Sequence, residues 1–168
     1  MKAFITLIFL FAIGCDHSGS SDSYYFPNGK LIQDQDLVSQ IISSPKSITI
    51  NNIKYSLESF AWRDYMPGRN PNDWINASNT LVREDGKTIK DNFSIVQQYV
   101  IKDQEIWIPF NIDVRLNLSN TSRLIIVSRE GPTWDVDTKV DFGLKFKSPD
   151  TGAVFWLSTS SIPIARTD

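Results

Sequence analysis

Residues 47–57 read Ser-Ile-Thr-Ile-Asn-Asn-Ile-Lys-Tyr-Ser-Leu, and this stretch decides the fold class. Asn51 and Asn52 both tolerate a positive φ angle, which a two-residue hairpin turn requires. A turn at these residues pairs Ile50 with Ile53 and places the apolar side chains of both strands on one face. The stretch therefore predicts a β-hairpin with one buried face.

The pattern changes on both sides of this hairpin. After Ser59 the apolar positions shift to Phe60 and Trp62, which predicts a bulge or a change of sheet. Residues 36–42 carry apolar i, i+4 pairs, which predict a short helix with Asp34 or Asp36 as its N-cap and Pro45 at its end. Residues 65–79 are rich in Pro and Asn and predict a long loop.

The rest of the chain has alternating apolar and polar positions between turn residues, which predicts further strands. Residues 112–118 alternate strictly and predict a half-buried strand, whereas residues 124–127 are apolar throughout and predict a central strand. Trp156 is predicted in the core of a C-terminal strand. The remaining predicted strands are residues 80–83 paired with 87–89, residues 93–101 paired with 105–110, and residues 140–146 and 153–159.

Many short strands and almost no helix predict an all-β fold, either an immunoglobulin-like β-sandwich or a small open β-barrel. Residues 24–168 have a length that suits a single domain with one hydrophobic core. Cys15 is the only cysteine, so an intrachain disulfide is excluded and a large aromatic core must stabilise the domain instead.

The N-terminus has the pattern of an export signal. Lys2 precedes an apolar run that is too short to span a membrane, and the run ends in Ala-Ile-Gly-Cys at residues 12–15. This ending resembles the lipobox of bacterial lipoproteins. The resemblance implies cleavage after Gly14 and a lipid on Cys15, which anchors the mature protein in a membrane of the bacterial cell envelope. We therefore expect a signal peptide at residues 1–14 and a lipidated Cys followed by a flexible polar tether at residues 15–23.

Composition excludes several kinds of chemistry. The chain has 17 basic and 19 acidic side chains, and no basic patch stands out, so nucleic acid is not an expected partner. His17 is the only histidine and lies in the predicted tether, so catalysis through His and Cys/His zinc sites are not expected in the domain. No phosphate-binding Gly-rich loop occurs, and we expect no cofactor and no metal. Three acids, Asp135, Asp137 and Asp141, form the densest carboxylate group and are interpreted as solvated strand-edge charges.

Two motifs carry the candidate binding residues Arg63, Asp64 and Trp134. Trp-Arg-Asp-Tyr-Met-Pro at residues 62–67 ends a predicted strand, and Gly-Pro-Thr-Trp at residues 131–134 follows the predicted central strand. Together they resemble uncharacterised exported bacterial β-domains, a resemblance that implies no specific activity. The motifs form either a shallow pocket with an Arg anchor or an aromatic plug at one end of the core.

Trp74 and Ile75, in the predicted long loop, are the other candidate binding residues. An aromatic side chain between amides is suited to stacking on a sugar ring or to anchoring in a partner protein. The alternative is that both side chains fold back and hold the loop against the domain.

The sequence leaves three functions open. The first is a lipid-anchored, non-enzymatic binding or assembly module whose partner is an envelope protein or glycan. The second is an inhibitor of an envelope or host hydrolase, and the third is a carboxylate-based hydrolase. Asp16, after the lipidated Cys, resembles the inner-membrane retention signal of enterobacterial lipoproteins, but the choice between inner and outer membrane stays open.

Overall fold

The described part of the chain consists of strands and one short helix. The computed structural model describes residues 25–65, 74–89, 93–148 and 150–168. The all-β class is therefore confirmed. In chain order the elements are β1 (Tyr25–Phe26), β2 (Gly29–Gln33), α1 (Gln35–Ile42), β3 (Ser47–Ile50), β4 (Ile53–Asp64), β5 (Ile75–Arg83), β6 (Ser94–Lys102), β7 (Glu105–Ile108), β8 (Asp113–Leu116), β9 (Arg123–Ser128), β10 (Lys139–Lys147) and β11 (Val154–Thr167).

The described strands form a curled open sheet that resembles half of a barrel. Their order is β1-β2-β7-β6-β10-β11-β4-β5-β9-β8, and β3 pairs with β4 beside that path. The sheet has two halves: the first half is β1-β2-β7-β6-β10, and the second half is β4-β5-β9-β8. β11 joins them, because its first part pairs antiparallel with β10 and residues 164–167 pair parallel with β4. This order leaves β1 and β8 as its two end strands.

The core lies between the two halves of the curled sheet. One buried cluster joins Trp107 and Phe142 of the first half with Ala61 and Ile75 of the second. All four side chains are fully buried. Burial of apolar surface from both halves at once, at about 25 cal/mol per Å², stabilises the curl of the sheet.

Aromatic rings fill much of a second cluster between the same halves. Phe93 meets Tyr55 and Phe146 edge to face, with ring centroids 5.2 and 5.4 Å apart. Each such pair contributes about 0.5–1.5 kcal/mol beyond its buried area. The expected aromatic core is therefore present.

The hairpin at Asn51 and Asn52 forms in the predicted register. Their φ angles are 50° and 62°, and Ile50 pairs with Ile53. Ile48 pairs with Tyr55, so the apolar side chains share a face as predicted.

Of the two alternatives predicted near Ser59, the bulge is wrong, although the neighbour on one side of β4 changes there from β3 at residues 53–56 to β11 at residues 61–64. β4 pairs with β5 without a register shift from Tyr55 to Arg63. Because side chains alternate along a strand, Phe60 and Trp62 stay on the outer face of the sheet. A bulge at Ser59 would turn Phe60 and Trp62 inward, but it would also turn the fully buried Ala61 out of the core.

The short helix and its predicted N-cap are confirmed. The Asp34 carboxylate accepts a hydrogen bond of 2.9 Å from the Leu37 N–H, and the helix ends at Ile42, three residues before Pro45. α1 covers the outer face of the first half of the sheet, where Ile41 is fully buried. Gly143 lies beneath it, and a Cβ there would come within 2.5 Å of the Ile41 Cγ2.

Several predicted strands have different limits in the structure. β6 and β7 form the predicted hairpin, turning at residues 103–104, and β10 has the predicted alternation. The strand predicted for residues 112–118 covers Asp113–Leu116 alone. β9 lies next to the end strand rather than at the centre of the sheet.

Three further predictions are wrong. The loop predicted for residues 65–79 ends earlier, because β5 begins at Ile75 and pairs with β4; residues 66–73 lie outside the described residues. Residues 87–89 form no strand, because the Asp85 carboxylate binds the Arg83 side chain at 2.7 Å and closes a compact turn. Trp156 lies on the outer face near α1, stacked on Tyr99 with ring centroids 5.5 Å apart, and not between the two halves.

The predicted signal peptide, lipidated Cys15 and tether at residues 1–23 lie outside the described residues. Within the ranges that the structure does describe, no helix has the length and apolar character needed to cross a membrane.

Candidate binding surface

A groove of about 570 Å³ opens where three segments meet: the β1–β2 turn, the connection from β7 to β8, and the end of β9. We call it the corner groove. Its volume lies in the range of roughly 300–1,000 Å³ that is typical of ligand sites. The residues that line it are Asn28, Phe110, Asn111, Ile112, Asp113, Val127, Arg129 and Glu130.

Asn28 holds the three segments in place. Its Nδ2 donates to the carbonyl oxygens of Asn111 and Arg129 at 3.1 and 2.9 Å. Its Oδ1 accepts from the N–H groups of Phe110 and Asn111 at 3.1 and 2.7 Å. Because these bonds use both polar atoms of the side chain, Asn28 acts as the structural floor of the groove and not as a free ligand-binding group.

The turn that presents Asn28 depends on glycine. Gly29 has a φ angle of 132°, and a Cβ there would lie 2.5 Å from the Trp107 Nε1. That Nε1 donates a 2.9 Å hydrogen bond to the Asn28 carbonyl oxygen. The turn is therefore anchored on a fully buried tryptophan, which makes the floor of the groove rigid.

The rim of the groove has mixed chemistry. Phe110 is 57% exposed and offers an apolar face. Arg129, Asp113 and Glu130 are exposed, and none has a side-chain ion pair or hydrogen bond among the residues described. Glu130 has a φ angle of 62°, an uncommon conformation for a residue other than Gly, Asn or Asp, and strained residues of this kind concentrate at functional sites.

A second exposed feature lies on the outer face of β4. Phe60 is 46% exposed and stacks on Trp62 with ring centroids 5.5 Å apart and an interplanar angle of 17°. Cross-strand pairing connects Phe60 of β4 to Ser78 of β5, Ser78 to Val127 of β9, and Val127 to Asp113 of β8. Three strand spacings therefore separate Phe60 from the rim of the corner groove, about 14 Å along the same face of the sheet.

The structure brings together Arg63, Trp134 and Ile75, three of the residues predicted to bind a partner. Arg63 donates from Nη1 to the Trp134 carbonyl oxygen at 3.4 Å. Trp134 is 8% exposed, and its Nε1 donates to Glu105 at 3.2 Å. Ile75 is fully buried and exchanges backbone hydrogen bonds with residues 131–132. These three side chains lie in or against the core, whereas Trp62, the other aromatic of the predicted plug, lies on the outer face of the sheet.

The other two predicted residues lie near this plug. Asp64 is half-buried at the end of β4, and Trp74 is half-buried directly before β5. The ring of Tyr65 lies between two guanidinium groups, 5.4 Å from Arg63 and 4.5 Å from Arg166. Hydrogen bonding to Asp168 raises the pKa of the Arg166 guanidinium.

A chain of polar side chains crosses the core, and the sequence did not reveal it. Ser128 donates to Gln98 at 2.6 Å, Gln98 to Asn79 at 2.7 Å, Asn79 to Ser59 at 2.7 Å, and Thr159 to Ser59 at 2.6 Å. Gln98 and Asn79 are fully buried. The bonds are internal, so this chain fixes the alignment of five strands and presents nothing to a ligand.

Asp135, Asp137 and Asp141 do not gather into a site. The Asp135 side chain is 93% exposed and lies 3.7 Å from Arg63, whereas Asp141 accepts a hydrogen bond from the Ser161 N–H. Across the described ranges, no three His, Cys, Asp or Glu side chains are grouped so that they could hold a metal ion.

Comparison of the chain with protein-family models, with curated proteins and with solved structures found no match. The site must therefore be interpreted from its own chemistry.

Proposed function

We propose that the protein is a lipid-anchored, non-enzymatic binding or assembly module of the bacterial cell envelope, and that its ligand occupies the corner groove. The observation that carries this proposal is the groove itself. It combines ligand-sized volume, an exposed aromatic wall and charged side chains that have no partner among the described residues. Groups of this kind fit a ligand with a flat apolar face and polar substituents, as in an envelope glycan or a protein segment.

The anchor in this proposal is a lipid on Cys15. Its support is the sequence alone: an apolar run, Gly14 and the chain's single Cys in lipobox order. Cys15→Ser should abolish anchoring, because the thiol is the attachment point. Metabolic labelling with a palmitate analogue tests this, and a wild-type protein that takes up no label would contradict the anchor while leaving the groove untouched.

The groove is tested with a pair of matched variants. Phe110→Ala removes the exposed wall of the groove, and Phe60→Ala removes a similarly exposed ring that lies about 14 Å from Asp113 at the groove rim. We expect Phe110→Ala to weaken capture of the partner from solubilised envelope roughly tenfold or more, as loss of an aromatic anchor does at other interfaces, with thermal stability nearly unchanged. Equal capture by Phe110→Ala and the wild type would refute the groove as the site.

A carboxylate-based hydrolase is the second candidate. Asp113 and Glu130 both line the groove, and a pair of carboxylates is the minimum set for glycoside hydrolysis. Release of reducing ends from envelope glycans by the wild type, lost in both Asp113→Asn and Glu130→Gln, would favour this reading over simple binding. Binding without any such release would favour the module.

We propose that the curled sheet is an immunoglobulin-like β-sandwich whose two layers are linked through β11, with the open barrel as the alternative. The support is that both apolar clusters between the halves combine residues from each. The modest negative charge and the absence of a basic stretch in the sequence support a partner other than nucleic acid.

A further inference from the structure

β8 is an end strand whose outer edge has no neighbouring strand among the described elements. It pairs with β9 in the register Val114 opposite Ile126 and Leu116 opposite Leu124. The other end strand, β1, is two residues long, which is a common way to protect an edge. β8 has four residues, and no Pro or Lys lies between residues 110 and 118, so its edge is comparatively open.

The backbone of β8 presents hydrogen-bonding groups along this open edge. The Asn117 N–H donates to the Arg123 carbonyl oxygen at 2.9 Å, so Asn117 faces β9. Orientation alternates along an antiparallel strand, so Asp113 and Arg115 also face β9. Val114 and Leu116 therefore direct their N–H and C=O groups toward the open edge.

The side chains near this edge leave apolar surface exposed. Val114 is 41% exposed, and Phe110 and Leu118, four residues before and after it, are 57% and 91% exposed. Ile112 and Leu116 lie on the same side as Val114 and pack partly against the core. Asp113 and Arg115 lie on the other side and have no ion-pair partner among the residues that the structure describes.

We propose that β8 pairs antiparallel with β8 of a second copy of this chain, about a two-fold axis at Val114. This axis sets Val114 opposite Val114 and Ile112 opposite Leu116. It also sets Asp113 of each copy opposite Arg115 of the other. The charge order is therefore complementary to itself, which selects a second copy over an unrelated strand.

The backbone geometry agrees with this axis. The two copies of Val114 face each other with outward N–H and C=O groups and form a hydrogen-bonded pair. Asp113 and Arg115 then form non-hydrogen-bonded pairs, in which opposite Cα atoms are closer, about 4.5 Å apart, and the charged side chains are in reach. The same axis brings Leu118 of one copy toward Phe110 of the other, beside the corner groove.

The dimer is expected to be weak and reversible. A pairing this short buries less than the roughly 1,200–2,000 Å² of a stable specific interface. It does not depend on the proposed lipid anchor or on a ligand in the groove, because its contacts come from β8 and its flanking residues.

Cysteine cross-linking tests the axis directly. In full-length protein carrying Cys15→Ser, Val114→Cys places the single thiol on the two-fold axis. Paired Cα atoms about 5.5 Å apart are within disulfide range. Val96→Cys is the matched control, because Val96 is also 41% exposed but lies on β6, which pairs with β10 and is not an end strand of the sheet. Under mild oxidation we expect roughly fivefold more cross-linked dimer from Val114→Cys than from Val96→Cys; equal yields would overturn the proposal.

Charge exchange tests the register. Arg115→Asp places like charges opposite each other without altering a groove-lining residue. Asp113→Arg places like charges opposite each other from the other side, at a residue that also lines the groove. Each should weaken the dimer roughly five- to thirtyfold in sedimentation velocity, and the double variant should restore it. A chain that stays monomeric at high concentration, or a double variant no better than the singles, would refute the pairing. Unchanged melting temperatures exclude unfolding as the cause of a lost dimer.

Discussion

Replacing Asn28 with Ala removes the side chain that holds the floor of the corner groove. Four hydrogen bonds disappear, two donated to the carbonyl oxygens of Asn111 and Arg129 and two accepted from the N–H groups of Phe110 and Asn111. The Trp107 indole keeps its bond, because its acceptor is the backbone oxygen of Asn28. The change therefore isolates the side chain of a residue that is 7% exposed.

The expected loss of stability follows from the count of bonds. Each neutral hydrogen bond contributes about 0.5–1.5 kcal/mol net, and a buried group left without a partner costs more than an exposed one. The partner groups lie at the rim, where water can replace part of what is lost, so we expect Asn28→Ala to lower the free energy of unfolding by about 2–4 kcal/mol. For a domain of this size, that corresponds to a melting temperature lower by roughly 6–12 °C.

Urea unfolding followed by tryptophan fluorescence measures this loss. Asn111→Ala is the matched control, because that side chain is exposed and the backbone groups that bind Asn28 remain. Asn28→Asp keeps the shape and the acceptor but turns the two donors into an oxygen facing carbonyl oxygens, so it should also be destabilising. If Asn28→Ala loses less than about 1 kcal/mol, or no more than Asn111→Ala, the hydrogen bonds do not hold this corner together.

Three further outcomes are expected. Burial raises the pKa of the Tyr99 phenol above its ordinary value of 10.0, so the folded state keeps a proton that the unfolded state releases first. Stability should therefore fall as the pH rises beyond about 10, and urea titrations of Tyr99→Phe across that range should show a smaller fall; an identical fall would contradict the assignment. Gly143→Ala should destabilise by about 1–3 kcal/mol in the same assay, because its Cβ would push against Ile41 and displace α1, and a neutral result would mean that the helix yields freely. Trp107→Ala should cost about 3–5 kcal/mol, whereas Trp74→Ala should cost much less; similar large losses of stability would make Trp74 a structural residue.

Local patterns predicted much of this fold, because they depend on neighbours in the chain. The hairpin at Asn51 and Asn52 follows from a turn that requires positive φ angles, and α1 follows from Asp34 as a cap and i, i+4 apolar pairs. The alternation of residues 140–146 predicted which side chains face inward. The lipobox pattern at Cys15 likewise belongs to a contiguous stretch, and it remains a prediction from the sequence.

The sequence could not predict the corner groove, because its walls come from segments far apart in the chain. Asn28 is 83 residues from Asn111 and 101 residues from Arg129, and nothing in the local pattern pairs them. Phe110 was predicted to lie in a strand, but that strand ends at Ile108 in the structure. Pro109 is a strand-ending signal, and it could have indicated that Phe110 lies beyond the strand and is exposed.

Local sequence patterns were enough to predict the all-β class, the hairpin register and the helix cap, since each depends on backbone conformations and alternation within a few residues. Which faces are covered depends on packing between strands that are far apart in the chain. Phe60 and Trp62 point outward because β4 keeps its register against β5, and Ile75 is buried because β11 and β10 close over it. The tertiary structure also left β8 at the end of the sheet, since strand order depends on the packing energy of the whole curled sheet and not on any one strand.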